Sequence, residues 1–193
     1  MAQGIYSSLA MSVVEELEMN LDKVDEIKII THPAFKNLVI SYMTSNKLQV
    51  QLTGGSTSLI GWRKYYQIIG ATAREMIVSE AADEWGVSPN DLKVEGKYVI
   101  NPTTNTRLSY GKLDEKAGRL AVPEKPRIKQ ADDFNIIGKP IKRWETISKI
   151  NGSAVFGTDT RPPEMLYGTI KTTPVLGSKI IGIDESKAKL IDG

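Results

Sequence analysis

The sequence contains no cysteine and a single histidine among its 193 residues. The absence of cysteine excludes disulfide bonds, thiolate nucleophiles and thiolate ligands for zinc or iron–sulfur clusters in this chain. A Ser–His–Asp triad would depend on His32, which stands next to Pro33, and zinc sites normally use several His or Cys ligands. We therefore interpret His32 as a surface or packing residue and assign no metal-ligating residue.

Strong net charge and long apolar runs are also absent. The 25 Lys and Arg residues against 23 Asp and Glu residues give a formal charge of +2, so nucleic acid is not expected as a partner. No stretch approaches the roughly 18 consecutive apolar residues of a membrane helix. The N-terminus lacks the basic start and apolar core of a signal peptide. These features predict a soluble chain with no membrane span.

The N-terminus is typical of the middle of a protein, because a compact Gln3-Gly4 turn is followed at once by a helical pattern. We therefore expect Met1 to be an internal position of a longer polypeptide. Any export signal would then precede Met1, so a cytoplasmic and a periplasmic location both stay open.

Two helices are predicted from apolar residues that recur at spacings of three and four. The first covers about 8–19, with Ser7 or Ser8 as its N-cap. The second covers about 59–85, with Gly86 as a left-handed cap. The apolar fraction of 40% is typical of a globular protein, so these helices should pack on a core.

The sequence also predicts the surroundings of individual residues in these two helices. Gly61 and Gly70 each cost a helix interior on the order of 1 kcal/mol relative to alanine, so they indicate close approach by another backbone or a ligand. The side chains predicted to form the buried stripe of the second helix are Ile60, Tyr65, Ile69, Ala73, Met76, Ile77, Ala81 and Trp85. The side chains of the first helix predicted to be solvated are Glu15, Glu16 and Glu18.

Strands are predicted where apolar and polar residues alternate. They comprise VDEIKIITH and a pair of hairpins in LKVEGKYVINPTTNTRLSY, with a loop at 101–106. LVISYM is compatible with a short strand or an extended loop, and YGKLDEKAGRLA predicts a short helix. Three more strands and a helix start are predicted in GSAVFGTD, EMLYGTIKTTP and SKIIGIDESKAKLIDG. The expected fold class is therefore mixed α+β.

A domain boundary is predicted at 123–145. Pro123, Pro126 and Pro140 lie there among Lys and Arg residues, a composition typical of a linker. The chain would then divide into a first unit, 1–122, and a small mixed unit, 146–193.

The stretch QLTGGSTSLIGW places small hydrogen-bonding residues at the start of the second helix. Gly54 and Gly55 let the backbone approach a ligand closely. Ser56, Thr57 and Ser58 offer hydroxyls and amides at a helix N-terminus, which favours phosphate or pyrophosphate. A capping loop without a ligand is the alternative, because the segment has neither the Walker lysine nor a full dinucleotide fingerprint.

Gln3 and Gly4 present the same choice at the start of the first helix. Gln3 can donate and accept hydrogen bonds, and Gly4 lets the start of a helix lie against a flat ligand. Two glycine-bearing helix starts are better explained together, by one ligand held between them.

An ordered set of segments resembles the molybdenum-cofactor-binding subunit of the xanthine dehydrogenase and aldehyde oxidase family. Within that family the similarity is greatest to the branch of the isoquinoline 1-oxidoreductase beta subunits. The resemblance extends over nearly the whole chain. The segments that carry it are MAQGIYSSLAMSVVEELEMNLDKV, QLTGGSTSLIGWRKYYQIIGATAREMIVSEAADEWGV, SYGKL, FNIIGKPIKRWETISKINGSAVFGTD and EMLYGTIKTTPVLG.

The resemblance implies a cofactor, a reaction and partners. The family binds molybdopterin cytosine dinucleotide, hydroxylates N-heterocycles or aldehydes with oxygen derived from water, and passes electrons to an iron–sulfur subunit or domain. Within the chain, 1–122 would be part of the cofactor-binding domain and 146–193 part of an α/β hammerhead-like domain. The residues expected to lie against the cofactor are Gln3, Gly4, Thr53, Gly54, Gly55, Ser56, Thr57 and Ser58.

The chain also departs from the family. Ala2 stands where glycine is usual, and Gln67 stands where arginine is frequent in the branch. The segment that carries the family's base glutamate is missing, so no catalytic residue is assigned. We expect a fragment or truncated product of the subunit that is inactive and without cofactor when isolated. Valine at Gly55 should abolish cofactor binding in the full-length subunit and leave the fold intact.

A noncatalytic role is the alternative. The same scaffold could serve as a protein-interaction or assembly module and self-associate through apolar surface, for instance around Trp62, Tyr65 and Tyr66. Aromatic residues at helical spacing are more often core residues. Bound cofactor would favour the molybdenum subunit, and dimerisation without cofactor the interaction module.

Overall fold

The computed structural model describes residues 4–191. It contains five α-helices and a small antiparallel sheet in that range, which confirms the mixed α+β class. In chain order the elements are α1 (Ile5–Glu16), α2 (Leu38–Met43), α3 (Thr57–Trp85), β1 (Lys93–Glu95), β2 (Tyr98–Asn101), β3 (Thr106–Ser109), α4 (Tyr110–Ala117) and α5 (Thr146–Ile150). Single 3-10 turns lie at Leu21–Lys23, Pro33–Phe35, Pro89–Asp91, Ala131–Asp133, Gly157–Asp159 and Ala188–Leu190.

The sheet has the strand order β1-β2-β3, and it confirms the predicted hairpin pair. Val99 in the central strand is opposite Val94 on one side and Leu108 on the other. Its side chain is fully buried with Ala81 of α3 and Leu113 of α4. The apolar side chains packed around these three are Ile77, Val78, Trp85, Leu92, Leu108 and Tyr110. The main core therefore lies between the sheet, α4 and the C-terminal half of α3.

Helix α3 confirms the long predicted helix and its end. Gly86 adopts the left-handed conformation with φ 64°, and the Val87 amide donates to the Ala82 carbonyl, which closes the last turn. The predicted buried stripe is wrong in its N-terminal half, because Ile60 and Ile69 are more than half exposed. Helix α1 packs instead on the face that carries Gly70 and Ala71, where small residues allow close approach.

Gly70 is the point of closest approach between α1 and α3. A Cβ atom at Gly70 would lie 2.8 Å from both the Val13 carbonyl oxygen and the Glu16 Cβ. This confirms that the glycine accommodates another backbone. Gly61 has the same role with α2, since a Cβ there would lie 3.3 Å from the Leu38 Cβ.

Helix α1 begins earlier than predicted, and neither serine caps it. The N-cap is Gly4, with φ 75° and no side-chain cap hydrogen bond. The Ser7 hydroxyl instead accepts from the Trp144 amide at 2.8 Å and donates to the Glu145 carboxylate at 2.7 Å. Ser8 donates back to the Gly4 carbonyl. Ser7 therefore attaches the start of α5 to α1.

The prediction that Glu15 and Glu16 are solvated is wrong. Both side chains are buried, whereas Glu18 is partly exposed. The Glu15 carboxylate accepts from the Ile136 amide at 2.7 Å and the Ile137 amide at 2.9 Å, and the Lys129 ammonium lies 2.7 Å away. A buried carboxylate is tolerated when it is paired and hydrogen-bonded in this way. The periodicity of α1 did not reveal this partner because it lies more than a hundred residues along the chain.

The neighbouring Glu16 binds the same segment and α3. Its carboxylate accepts from the Lys129 amide at 3.1 Å and the Arg74 guanidinium at 3.2 Å, and the Gln67 side chain donates to it at 3.4 Å. Gln67 thus has a structural partner within the chain. The boundary predicted at 123–145 stays a prediction, and within it residues 129–137 are held on α1 by the two carboxylates.

Hydrogen bonding lowers the pKa of Glu15. Burial by itself raises this pKa, but the Asn135 amide, the Lys129 ammonium and the Ile137 and Ile136 amides stabilise the charged form and together outweigh burial. The net result is a pKa below the ordinary value of 4.5. Glu15 therefore contributes stability that is present above about pH 4.5 and is lost as the pH falls through the lowered pKa.

Several predicted strands do not form. VDEIKIITH is extended without a strand partner, and LVISYM is the helix α2. No strand occurs in the described residues from 146 to 191. The physical reason is the same in each extended segment: alternation of side chains suits a strand, but a strand also needs a neighbour to accept its backbone hydrogen bonds.

We expect Gly70→Ala to destabilise the chain by about 1–3 kcal/mol, because the added methyl group meets backbone of α1 that cannot move aside. Gly111→Ala is the matched control, since Gly111 lies in α4 with nothing within 4 Å of its Cβ position. It should be neutral or slightly stabilising. Urea unfolding followed by circular dichroism measures both, and equal stability of the two variants would contradict the close packing.

We expect Glu15→Gln to cost about 3 kcal/mol at pH 7, because it removes one partner of a buried ion pair. The difference from wild type should shrink as the pH falls below 4.5, where the unfolded chain binds a proton at Glu15, and through the lowered pKa of the folded chain. Glu115→Gln, which breaks the exposed pair with Arg119, should cost less than about 1 kcal/mol. Urea unfolding across pH 3–7 checks this, and a difference that is constant with pH would rule out the charge as its source.

Candidate functional site

The loop before α3 has a backbone that requires its glycine. Gly55 and Ser56 both lie in the left-handed region, with φ 56° and 58°. The Gly54 carbonyl turns back and accepts from the Thr57 amide at 3.1 Å and from the Thr57 hydroxyl at 2.6 Å. Two successive left-handed residues are uncommon, and only glycine adopts this conformation without cost.

The predicted binding residues of this loop differ in what they can offer a ligand. Gly55 and Ser56 are exposed, and the Ser56 side chain makes no capping hydrogen bond. The Thr57 hydroxyl is used within the loop, and the Ser58 hydroxyl is buried and directed to the Leu52 carbonyl at 3.5 Å. Thr53 is partly buried. The surface of the loop is therefore formed by Gly54, Gly55, Ser56 and the first free amides of α3.

Gly54 has space where a side chain would be. Its backbone is not in the left-handed region, and a Cβ atom there would meet only the Leu52 Cδ1 at 3.6 Å, an ordinary contact. Packing within the described part of the chain therefore does not require a glycine at 54. The position leaves room for a group outside this chain to approach the backbone, as a phosphate at a helix N-terminus would.

The structure brings the starts of α1 and α3 to the same end of the molecule. Ile5 and Tyr6 line one apolar cavity of about 230 Å³ together with Thr53 and Ser58. Eight or more residues further along α1, Val13 and Glu16 meet Gly70 of α3. The two helices therefore run parallel, and both predicted binding segments lie at their shared N-terminal end.

Of the first predicted segment, Gln3 lies outside the described residues. Gly4 is buried, and its left-handed φ of 75° agrees with the requirement for glycine. The Arg143 side chain covers Gly4, with Nε 3.2 Å from the position of a Gly4 Cβ. The start of α1 thus carries a guanidinium beside the positive end of its helix dipole.

Asn37 is the residue of this region that the sequence analysis missed. It is 2% exposed and connects α2 to the loop before α3 through both halves of its amide. Its Oδ1 accepts from the Ile40 amide as the N-cap of α2. Asparagine is a common N-cap, so this role could have been found had LVISYM been assigned to a helix.

Of the other residues singled out from the sequence, His32 lies outside this site, whereas Trp62 and Tyr66 line the same apolar cavity. His32 is exposed, and its Nδ1 accepts from the Ala34 amide at 3.1 Å. The Trp62 ring contacts the rings of Tyr65 and Tyr66 edge to face, and Tyr65 is 53% exposed. Within residues 4–191 no group of three or more His, Asp and Glu side chains could hold a metal ion. Over the same range, no helix combines the length and hydrophobicity needed to cross a membrane.

The fold and the site together describe an α+β segment in which two helices, each starting at a glycine-containing segment, lie side by side. No family model matches the chain. The beta subunit of isoquinoline 1-oxidoreductase from Brevundimonas diminuta is 24% identical over 100% of this chain and 28% of that protein. The B subunit of nicotinate dehydrogenase from Pseudomonas putida is 28% identical over 98% of this chain and 16% of that protein.

Two further relatives extend this comparison. A membrane-bound aldehyde dehydrogenase of Gluconacetobacter polyoxogenes, whose name specifies pyrroloquinoline-quinone, is 30% identical over 100% of this chain and 24% of that protein. The large molybdopterin subunit of nicotinate dehydrogenase from Eubacterium barkeri is 34% identical over 61 residues, 32% of this chain. Along its length the chain is related to subunits of the molybdenum hydroxylase family, which confirms the resemblance. It spans between 16% and 28% of the relatives that match all or nearly all of it.

We expect valine to be tolerated at Gly54 and not at Gly55. At Gly54 a Cβ atom makes only an ordinary contact with the Leu52 Cδ1, so the stability should change by less than about 0.5 kcal/mol. At Gly55 the left-handed φ would strain any β-branched residue, at a cost of about 1–3 kcal/mol. Gly55→Val therefore does not leave the fold untouched, and Gly54→Val is the cleaner probe of ligand binding. Urea unfolding of both variants checks the difference, and equal costs would contradict the loop conformation.

Proposed function

We propose that this chain forms part of the cofactor-binding wall of a molybdenum hydroxylase subunit. The loop 53–58 would lie against a molybdopterin cytosine dinucleotide, with Gly4 and the Arg143 side chain that covers it at the adjoining start of α1. The observation that carries the proposal is the parallel packing of α1 and α3, which places both glycine-bearing helix starts at one end. The relatives named above support a molybdenum cofactor in general. Its cytosine dinucleotide form is supported by the family resemblance of the sequence.

Each part of this end has a defined task in binding. The free amides at the start of α3 and the positive end of its dipole favour the pyrophosphate of a dinucleotide. Gly54 allows the backbone to approach it, and the Ser56 hydroxyl can donate to a phosphate oxygen. Arg143 adds positive charge at the start of α1. Gln3 is assigned to the site by the resemblance alone.

The bound cofactor would supply the oxidation of an N-heterocycle or aldehyde with oxygen derived from water. The described residues bind and orient it, and we assign no catalytic residue in this chain. An iron–sulfur subunit or domain would receive the electrons, and other parts of the molybdenum subunit would close the remaining sides of the site. Two helix starts cover one side of a large ligand, so we propose that the chain alone does not retain the cofactor and is inactive.

A noncatalytic interaction module is the second candidate, and one observation favours it. Large apolar side chains after residue 154 are more than half exposed, and they lie in backbone without helices longer than one turn. Exposed apolar surface of this extent marks a contact with another polypeptide. The side chains concerned are Val155, Phe156, Leu166, Tyr167, Ile170, Val175, Leu176, Ile180, Ile181, Ile183, Leu190 and Ile191.

The test is the measurement of molybdenum by elemental analysis and of cytosine nucleotide released by acid. We expect both, in equal amounts, in a longer polypeptide that includes this chain, and neither in the chain alone. Gly54→Val in the longer form should lower both at least tenfold, because its side chain occupies the space of the pyrophosphate. Gly111→Val, on the exposed face of α4, is the matched control and should change neither.

Each other outcome has a definite meaning. Full cofactor content in Gly54→Val would exclude the loop from the site. Molybdenum without cytosine nucleotide would retain the family and reject the dinucleotide form. No molybdenum in the longer form, together with a dimer of the chain in sedimentation, would favour the interaction module.

A further inference from the structure

We infer that Asn37 is the positioning residue of the glycine-rich loop, acting through the Thr57 hydroxyl. The inference rests on the proposed function, because the loop is the one assigned to the cofactor. Asn37 lies outside both predicted binding segments and is buried at 2% exposure. Its Nδ2 donates to the Thr57 Oγ1 at 2.7 Å and to the Leu52 carbonyl at 3.1 Å, which uses both amide protons.

The Thr57 hydroxyl transmits this contact to the loop. It accepts from Asn37 and donates its single proton to the Gly54 carbonyl at 2.6 Å. The Gly54 carbonyl also accepts from the Thr57 amide, so its oxygen is held against the first turn of α3. An oxygen in that position cannot face an anion at the loop surface. The amides of Gly55 and Ser56 are then the groups presented there, because the Thr57 amide is bonded to the Gly54 carbonyl, and they attract an anion.

The chain of hydrogen bonds from Asn37 through the Thr57 hydroxyl to the Gly54 carbonyl, called the relay below, also changes the role of Thr57. A hydroxyl has one proton, and here the Gly54 carbonyl receives it. Thr57 therefore cannot donate to a phosphate while the loop keeps this shape. Its task is to orient the loop, and the task of direct contact falls to Ser56 and the free amides of α3.

Asn37 is itself fixed from the opposite side. Its Oδ1 accepts from the Ile40 backbone amide at 3.1 Å, and the backbone amide of Asn37 donates to the Val50 carbonyl at 2.8 Å. Helix α2, to which it belongs as N-cap, packs closely on Gly61 of α3. The position of the amide is therefore set by α2 and α3, and the loop takes its shape from that position.

Substitutions can separate the relay from the helix cap. Asn37→Ser keeps a good N-cap oxygen and removes Nδ2, without adding charge. Thr57→Val removes the hydroxyl at nearly constant shape, and Thr57→Ser restores it. Thr103→Val, in the exposed loop between β2 and β3, is the matched control.

The experiment measures three quantities on the whole chain: hydrogen exchange of the amides of residues 54–58, urea unfolding, and affinity for cytidine diphosphate by calorimetry. We expect Asn37→Ser and Thr57→Val each to speed exchange of these amides and to weaken cytidine diphosphate binding about tenfold under conditions where both remain folded. Thr57→Ser and Thr103→Val should behave as wild type. The Asn37→Ser/Thr57→Val double variant should lose little more than either single variant.

The outcomes distinguish this inference from the proposed function. Unchanged exchange in Thr57→Val would overturn the relay whether or not the chain binds a nucleotide. Faster exchange with unchanged affinity, or failure of Thr57→Ser to restore affinity, would overturn the positioning role and leave the loop as a binding element. If wild type binds no cytidine diphosphate even at millimolar concentration, the ligand role of both the loop and Asn37 is rejected, and the exchange data alone decide the relay.

Discussion

The fold depends on two adjacent carboxylates buried in α1. Glu15 accepts from the amides of 135–137 and pairs with Lys129, while Glu16 binds the Lys129 amide and Arg74 of α3. A buried charge without partners would be far too costly, so each carboxylate requires the segment that it binds to be in place. The pair therefore links α1, α3 and residues 129–137, and it fixes α1 relative to α3. Residues 129–137, which form only one 3-10 turn, are held in place because their backbone amides bind these charged groups.

The orientation of α1 determines the candidate site. The two helices can approach closely only where Gly70 removes a side chain, and the buried glutamates lie on the same turn of α1 as that contact. At the opposite end of the two helices, Ile5 and Tyr6 of α1 line an apolar cavity with Thr53 and Ser58 of the loop before α3. The site is thus built from two helix N-termini and their glycines. They lie close together because the two helices are parallel and adjacent. Relatives from the molybdenum hydroxylase family give this arrangement a biochemical context.

The part of the chain after α5 has a different physical character. The main core is formed by α3, α4 and the sheet. After α5 the sequence has alternating apolar residues, but the described residues there form no paired strands. Such a sequence is suited to a sheet, and exposure of its isoleucines and leucines is unfavourable in water. The same property underlies both candidate functions, since a subunit and an assembly module each need surface that another polypeptide covers.

The amino-acid sequence by itself determined the elements whose signals are local. The long helix α3 with its cap at Gly86, the hairpins, the helix α4 and the glycine-bearing helix starts follow from periodicity and turn chemistry, which act over a few residues. The tertiary structure alone decided the burial of Glu15 and Glu16, the role of Ser7, the helix α2 and the position of Asn37. Each of these depends on a partner distant in the sequence, and the free energy of a charge or a strand depends on that partner. Local pattern therefore located the candidate loops, and long-range hydrogen bonding decided which of their groups face outwards.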